Sequence, residues 1–177
     1  MSAKHQIESL LSAEQLAARI AELAAQINKD YAGKDILLVG TLKGAYIFLA
    51  DLSRHLPQST EIDFLKVSSY GDSTSPTSEV KFDHYPTIDM QGKHVVLVED
   101  IVDTGHTLAF LRKYIQGENP ASLRVCALLD KPSRREASLE PLEYIGFSIP
   151  DNFVVGYGLD FAQRYRNLPY VGIYKPD

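Results

Sequence analysis

Val95-Val96-Leu97-Val98-Glu99-Asp100-Ile101-Val102-Asp103-Thr104-Gly105-His106-Thr107 is the stretch on which the fold turns. Four apolar, mostly β-branched residues end on two adjacent carboxylates, and a third acid, a glycine and two threonines follow. An amphipathic run then extends from Leu108 to Ile115. The switch from a continuous apolar run to a helical period predicts a buried strand, a tight loop and a helix start. The polar groups crowd at the strand's C-terminal end, where open parallel sheets bind ligands. The N–H groups of Asp103 to Thr107, together with the helix dipole, suit a phosphate. The acids repel a phosphate and suit sugar hydroxyls, a metal or a proton. Buried carboxylates are expensive unless paired or bound to something, and three acids within five residues repel one another. The segment therefore predicts a site rather than a plain turn.

On either side of it the chain alternates strands with helices. Ser12-Ala13-Glu14-Gln15 reads as a capping box, with Ser12 as N-cap and Gln15 reaching back. Leu16, Ile20, Leu23 and Ile27 recur at helical spacing, and Gly33 is expected to stop that helix. Ile36 to Val39 predicts a short buried strand, Gly40 to Ala45 a loop, and Tyr46 to Leu56 a second helix ended by Pro57. A strand from Ile62 to about Tyr70 leads into Gly71 to Ser78, small and polar with no apolar anchor. Val80 to Phe82 and His84 to Ile88 predict a returning strand. The helix after Thr107 is expected to end near Gly117 or Pro120. Leu123 to Leu129 is an apolar strand closed by Asp130-Lys131-Pro132, and short strands with turns follow from Tyr144: Phe153 to Gly158, then Tyr170 to Tyr174. This alternation implies an α/β fold with a mostly parallel central sheet flanked by helices. No repeat or linker splits the chain, so one domain over residues 1–177 is expected.

The bulk numbers narrow the function. The 177 residues suffice for one domain with a real core. Apolar residues make up 45% and charged residues 23%, as in an ordinary globular chain. The net charge of −5 speaks against a broad nucleic-acid footprint, leaving only a small basic patch at Arg134 and Arg135. Cys126, the single cysteine, lies in an apolar run and reads as a buried, inert thiol. Met1 to Ile7 lacks the apolar core of a signal peptide, and no apolar stretch reaches bilayer-spanning length. A cytoplasmic location without membrane contact is expected.

Several chemistries fail on spacing. Asp103-Thr104-Gly105 matches the aspartic-protease triplet, but that triplet belongs to an all-β fold, whereas an amphipathic helix follows here. Asp100-x-x-Asp103 is one residue too long for an Asp-x-Asp phosphatase. No phosphate loop of the Gly-x-x-x-x-Gly-Lys type, no dinucleotide fingerprint and no His-Glu-x-x-His is present. An acid pair belonging to a phospho-acceptor signalling domain would stand near the first strand, not after residue 90.

The whole of Val95 to Thr107 resembles the phosphoribosyl-diphosphate signature of the type I phosphoribosyltransferases. Further segments, in order from about Ile36 to Tyr174, are similar to one subgroup, the hypoxanthine-guanine phosphoribosyltransferases. Leu42-Lys43-Gly44-Ala45 looks like the pyrophosphate loop, with Ala45 at a position often held by glycine or serine. Ser69-Tyr70 and the polar loop after them look like the mobile lid. Lys131 stands where the family carries a purine-reading lysine, and Phe153 to Asp160 resembles the purine-stacking segment. Arg166 stands where the family places a pyrophosphate arginine.

The resemblance implies the type I fold, with a small hood formed by terminal segments, and purine salvage. A 5-phosphoribosyl group would pass from phosphoribosyl diphosphate to hypoxanthine or guanine, giving IMP or GMP and pyrophosphate. Within that implication Glu99 and Asp100 accept from the ribose hydroxyls and hold Mg²⁺ together with Asp160. Asp103, Thr104, Gly105 and Thr107 cradle the 5-phosphate, while Lys43, Gly44 and Arg166 serve the pyrophosphate. Lys131 donates to the purine O6, Phe153 stacks on the base, and Val154 offers backbone groups to its edge. Asp103 is the general base or acid at N7, and its acidic neighbours and partial burial are expected to make it more basic than a free aspartate. Ser69, Tyr70 and the loop after them exclude water from an oxocarbenium-like centre. The family usually forms homodimers or homotetramers. A xanthine-preferring transferase and an RNA-binding regulator on the same fold are the alternatives.

Overall fold

The computed structural model describes residues 6–70 and 79–175. In chain order its elements are β1 (Gln6–Leu11), α1 (Ala13–Asp30), β2 (Ile36–Thr41), α2 (Tyr46–Ser53), β3 (Glu61–Tyr70), β4 (Glu79–His84), β5 (His94–Val102), α3 (His106–Gly117), β6 (Ser122–Asp130), β7 (Tyr144–Ser148), β8 (Val154–Val155) and β9 (Val171–Lys175). A 3-10 turn, Pro132–Arg134, follows β6.

Six strands form the central sheet in the order β4-β3-β2-β5-β6-β7, all parallel except the β3–β4 pair. From β2 the chain moves outward to β3, and from β5 it moves outward the other way to β6. The direction of winding therefore reverses between β2 and β5, and a crevice opens outside their C-terminal ends. The acids of Val95–Thr107 sit at that crevice because β5 is central: His94 to Val98 pair in parallel with Ile36 to Gly40 on one side and with Ser122 to Cys126 on the other.

Strand alternation divides the core. Val96 and Val98 face the layer with α1 and α2, packing with Leu16, Ile20, Leu23, Phe48 and Leu52. Val95 and Leu97 face the layer with α3, packing with Leu108, Leu111 and Ile115. Both faces of the sheet are thus covered, which explains the unbroken apolar runs in β2, β5 and β6. Cys126 is fully buried within the first layer. The capping box at Ser12 forms as read: Gln15 N–H donates to Ser12 Oγ at 3.3 Å, and Ser12 N–H donates to Gln15 Oε1 at 2.8 Å.

A second, three-stranded sheet, β1-β9-β8, joins the two ends of the described chain and is the expected hood. The strand β1 itself was not anticipated. Other limits shift. Helix α1 ends at Asp30, capped by Tyr31 whose N–H bonds Ile27 O, before Gly33 is reached. Helix α2 ends at Ser53 rather than Leu56. The returning strand β4 stops at His84, because the residues after it are drawn to Asp63, whose carboxylate accepts from the N–H groups of Thr87 and Ile88. Of Phe153 to Gly158 only Val154–Val155 is strand; Gly156, Tyr157 and Gly158 all have positive φ and turn the chain. The segment Gly71–Ser78, expected to be a lid, lies outside the described residues. Ser69 and Tyr70 close β3, with backbones paired to Val80 and Glu79.

Candidate active site

A cleft of about 310 Å³ opens at the winding reversal, lined by the loops after β2 and β5 and by Asp160 and Arg166. It gathers Lys43, Gly44, Glu99, Asp100, Asp103, Thr104, Gly105, Thr107, Asp160 and Arg166 from sequence positions more than a hundred residues apart.

Glu99 and Asp100 are consecutive on β5 and so project to opposite faces of the sheet. Glu99 is buried, and its Oε1 has no hydrogen-bond partner among the described residues. Burial, then the neighbouring charge of Asp100, pushes the Glu99 carboxyl well above the usual carboxylate range. Burial also raises Asp100, against the N–H of Ile101, which donates to Asp100 Oδ1 at 2.8 Å. Two acids held in this way attract a cation or hydroxyl donors.

Gly44 lies directly against Asp100, where a Cβ would overlap the carboxylate. On its other side Gly158, at φ +101°, brings its Cα against the Gly44 carbonyl. Asp100, the Lys43–Gly44 loop and the 153–160 segment are thus stacked in direct contact, and both glycines are required by the closeness of approach. The Leu42–Lys43 peptide is cis. Lys43 Nζ donates to Gln163 Oε1 at 3.2 Å. Arg166 pairs with Asp160 Oδ1 at 2.7 Å and donates to Gly158 O at 2.7 Å and to Gln163 Oε1 at 3.2 Å. Gln163 therefore spans both cations, a role its sequence position gave no sign of.

The loop 103–105 is held from outside by its carbonyls. Asp103 O accepts from Arg135 Nη1 at 2.7 Å, and Thr104 O accepts from the N–H groups of Glu136 and Ala137 at 3.0 and 3.1 Å. Arg135 is in turn paired with Asp130. With the carbonyls turned outward and Gly105 left-handed at φ +92°, the N–H side of the turn and the first, unpaired amides of α3 remain for an anion.

Asp103 is partly buried, as expected, but its surroundings differ from those expected. Its side chain is 42% exposed and its Oδ1 accepts from Arg134 Nε at 3.1 Å, so a guanidinium, rather than the acid pair, is its neighbour. The basic pair Arg134–Arg135 is accordingly consumed by acids. Lys131, Phe153 and Val154 are not among the residues that line this cleft. Lys131 is anchored where β5 and β6 end, its N–H bonding Val102 O at 2.9 Å, and its buried ammonium meets Asp151 Oδ1 at 3.3 Å. Phe153 is 54% exposed and lies edge-on to Phe161 and Tyr174, with centroids at 5.8 and 6.0 Å. Val154 is buried on β8, so only its backbone is free to meet a ligand edge.

Hard carboxylate oxygens and the unpartnered Glu99 Oε1 suit Mg²⁺. Among the described residues, however, no group of three or more His, Cys, Asp or Glu stands close enough to hold a metal unaided. Asp160 is already engaged by Arg166 and by the Gln163 N–H. The donor set fits an ion that takes its remaining oxygens from a substrate or from water, not a resident metal centre.

Residues 6–162 match the family described as phosphoribosyl transferase domain. The chain is 51% identical over 171 residues to the hypoxanthine phosphoribosyltransferase of Escherichia coli (strain K12), covering 96% of each chain. It is 49% identical over 173 residues to the hypoxanthine-guanine phosphoribosyltransferase of Mycobacterium tuberculosis (strain ATCC 25618 / H37Rv), covering 94% of this chain and 85% of that one. Among solved structures, a hypoxanthine-guanine phosphoribosyltransferase from Bacillus anthracis superposes with a TM-score of 0.90 at 43% identity, covering 97% of this chain and 100% of that one.

Proposed function

The chain belongs to the phosphoribosyl transferase family, and from that premise we propose that it is a purine-salvage enzyme acting as one domain over residues 1–177. It transfers the 5-phosphoribosyl group of phosphoribosyl diphosphate to N9 of hypoxanthine or guanine, giving IMP or GMP and pyrophosphate. The observation that carries this reading is the buried, unpartnered Glu99 Oε1 beside Asp100, under a loop that brings Lys43 to the same cleft. An acid pair whose carboxyls are raised by burial is further stabilised by a hydroxylated, cation-bearing ligand.

Each group has a task in that reaction. The Asp103–Thr107 turn binds the 5-phosphate through N–H and hydroxyl donors. Glu99 and Asp100 accept from the ribose hydroxyls, and their charge favours the oxocarbenium-like ring as the glycosidic bond breaks. Lys43 and Arg166 supply fixed positive charge to the departing pyrophosphate, with Arg166 exchanging Asp160 for phosphate oxygens. Glu99, Asp100 and, once released from Arg166, Asp160 would hold Mg²⁺ together with substrate oxygens, and the ion would supply charge neutralisation for the leaving group. Phe153 stacks on the base, Val154 meets its edge with backbone groups, Lys131 donates to O6, and Asp103 takes the N7 proton as N9 bonds to the anomeric carbon. Ser69 and Tyr70, at the end of β3, are assigned to the lid.

An absorbance assay with phosphoribosyl diphosphate, Mg²⁺ and each of hypoxanthine, guanine, xanthine and adenine tests the reading. Turnover of hypoxanthine or guanine with adenine inert is expected. Absence of turnover with every purine overturns the function, and adenine matching hypoxanthine removes the role given to Lys131.

A further inference from the structure

Lys131 and Asp103 stand at the ends of neighbouring strands, and their side chains are joined by a chain of charges. The Lys131 ammonium, 7% exposed, meets Asp151 Oδ1 at 3.3 Å; Asp151 Oδ2 meets Arg134 Nη1 at 3.7 Å; and Arg134 Nε donates to Asp103 Oδ1 at 3.1 Å. Positive and negative groups alternate along this path, and their formal charges cancel. We propose that Asp151 and Arg134 are positioning residues for base recognition, holding the Lys131 ammonium and the Asp103 carboxylate at the separation that matches the adjacent O6 acceptor and N7–H donor of a 6-oxopurine. The inference rests on the base-recognition part of the proposed function.

Three features carry it. First, a buried ammonium requires a counter-charge, and among the described residues Asp151 is the acid that supplies one. Second, both ends of the path keep capacity for a ligand. Asp151 occupies one of the ammonium's three donors, and Arg134 one of the two Asp103 oxygens. A base can thus add a bond at each end without breaking the chain. Third, Asp151 and Arg134 are each about half exposed, where ion pairs contribute little to folding. The Asp151–Arg134 pair therefore acts on where Lys131 and Asp103 point, while the Asp151–Lys131 pair also offsets the burial of the ammonium. A 6-aminopurine offers a donor to the ammonium and gains nothing from the arrangement.

The test is steady-state kinetics of Asp151→Asn, Arg134→Gln, the double variant and Asp151→Glu, each with a melting curve. Asp151→Asn is expected to raise the KM for hypoxanthine about tenfold, as for loss of a charged hydrogen-bond partner, while the KM for phosphoribosyl diphosphate changes less than about twofold. Arg134→Gln should lower kcat with little change in either KM. The double variant should fall short of the product of the single effects, because neighbours in one network are not additive. Asp151→Glu should recover most of the hypoxanthine KM. Arg134→Gln should melt close to the parent protein, whereas Asp151→Asn leaves the buried ammonium unpaired and should melt lower while still unfolding cooperatively, with Asp151→Glu recovering both the melting temperature and the KM. An unchanged hypoxanthine KM in Asp151→Asn, an equal rise in both KM values, or multiplicative single effects overturns the inference while leaving the function standing. A parent protein that turns over no purine sinks both.

Discussion

At Gly44 the missing side chain does the work. The residue lies between the Asp100 carboxylate and the Gly158 Cα, and a methyl group there overlaps the carboxylate. Gly44→Ala is therefore expected to displace Asp100 and weaken phosphoribosyl diphosphate binding at least about tenfold. Titration calorimetry with Mg²⁺ present checks this; unchanged affinity would show that the carboxylate can give way without loss. The residue scale also marks what a linear reading captures. Glu99, Asp100 and the 103–107 turn were legible because strand, acids and helix start fall within one short window. The guanidinium beside Asp103 was not, because Arg134 lies 31 residues away. Gln163 was hidden for the same reason, being 120 residues from Lys43.

At the scale of elements, Asp63 on β3 fixes the chain that leads back toward β5. Its carboxylate is buried and accepts from the N–H groups of Phe64 at 2.7 Å, Thr87 at 2.6 Å and Ile88 at 2.7 Å, and from the Thr87 hydroxyl at 3.3 Å. Burial pushes its pKa up, but these donors outweigh burial and leave it below the ordinary value of 3.8. A carboxylate depressed on folding adds stability above its unfolded pKa and loses that stability as pH falls through the folded value. Asp63→Asn is thus expected to cost about 1–3 kcal/mol at neutral pH, and the two stability curves should converge as pH drops below 3.8. Urea unfolding at a series of pH values measures this; a gap that persists in acid would deny the carboxylate its role. Elements with local signals were legible, as α1 was from its capping box. Strand β1 was not, because half of its residues are exposed and, among the described residues, it pairs with β9 at the far end of the chain.

For the molecule as a whole, the sheet order places the site without any single residue deciding it. The crevice follows from the winding reversal between β2 and β5; the alternation of strands and helices made the mostly parallel sheet readable in advance, but not its strand order. The hood was expected only through family resemblance, since no local pattern announces a sheet built from the two ends of the chain. Among the described residues no helix is long and apolar enough to cross a membrane.

The pairing of β1 with β9 sets Gln6 opposite Lys175 across an antiparallel ladder. Neighbouring strands lie about 5 Å apart, so a short Gly/Ser bridge from 175 to 6 makes the polypeptide a topological ring. Such a ring can be cut elsewhere, and the turn at Gly33–Lys34 suits the cut: it is exposed, a Cβ at Gly33 meets nothing, and it lies at the opposite end of β2 from the cleft. A circular permutant beginning at Lys34 is expected to melt cooperatively and to keep its KM values within about twofold, as surface-turn permutants generally do. Loss of cooperative melting would mean that the native order of the termini is itself needed for folding.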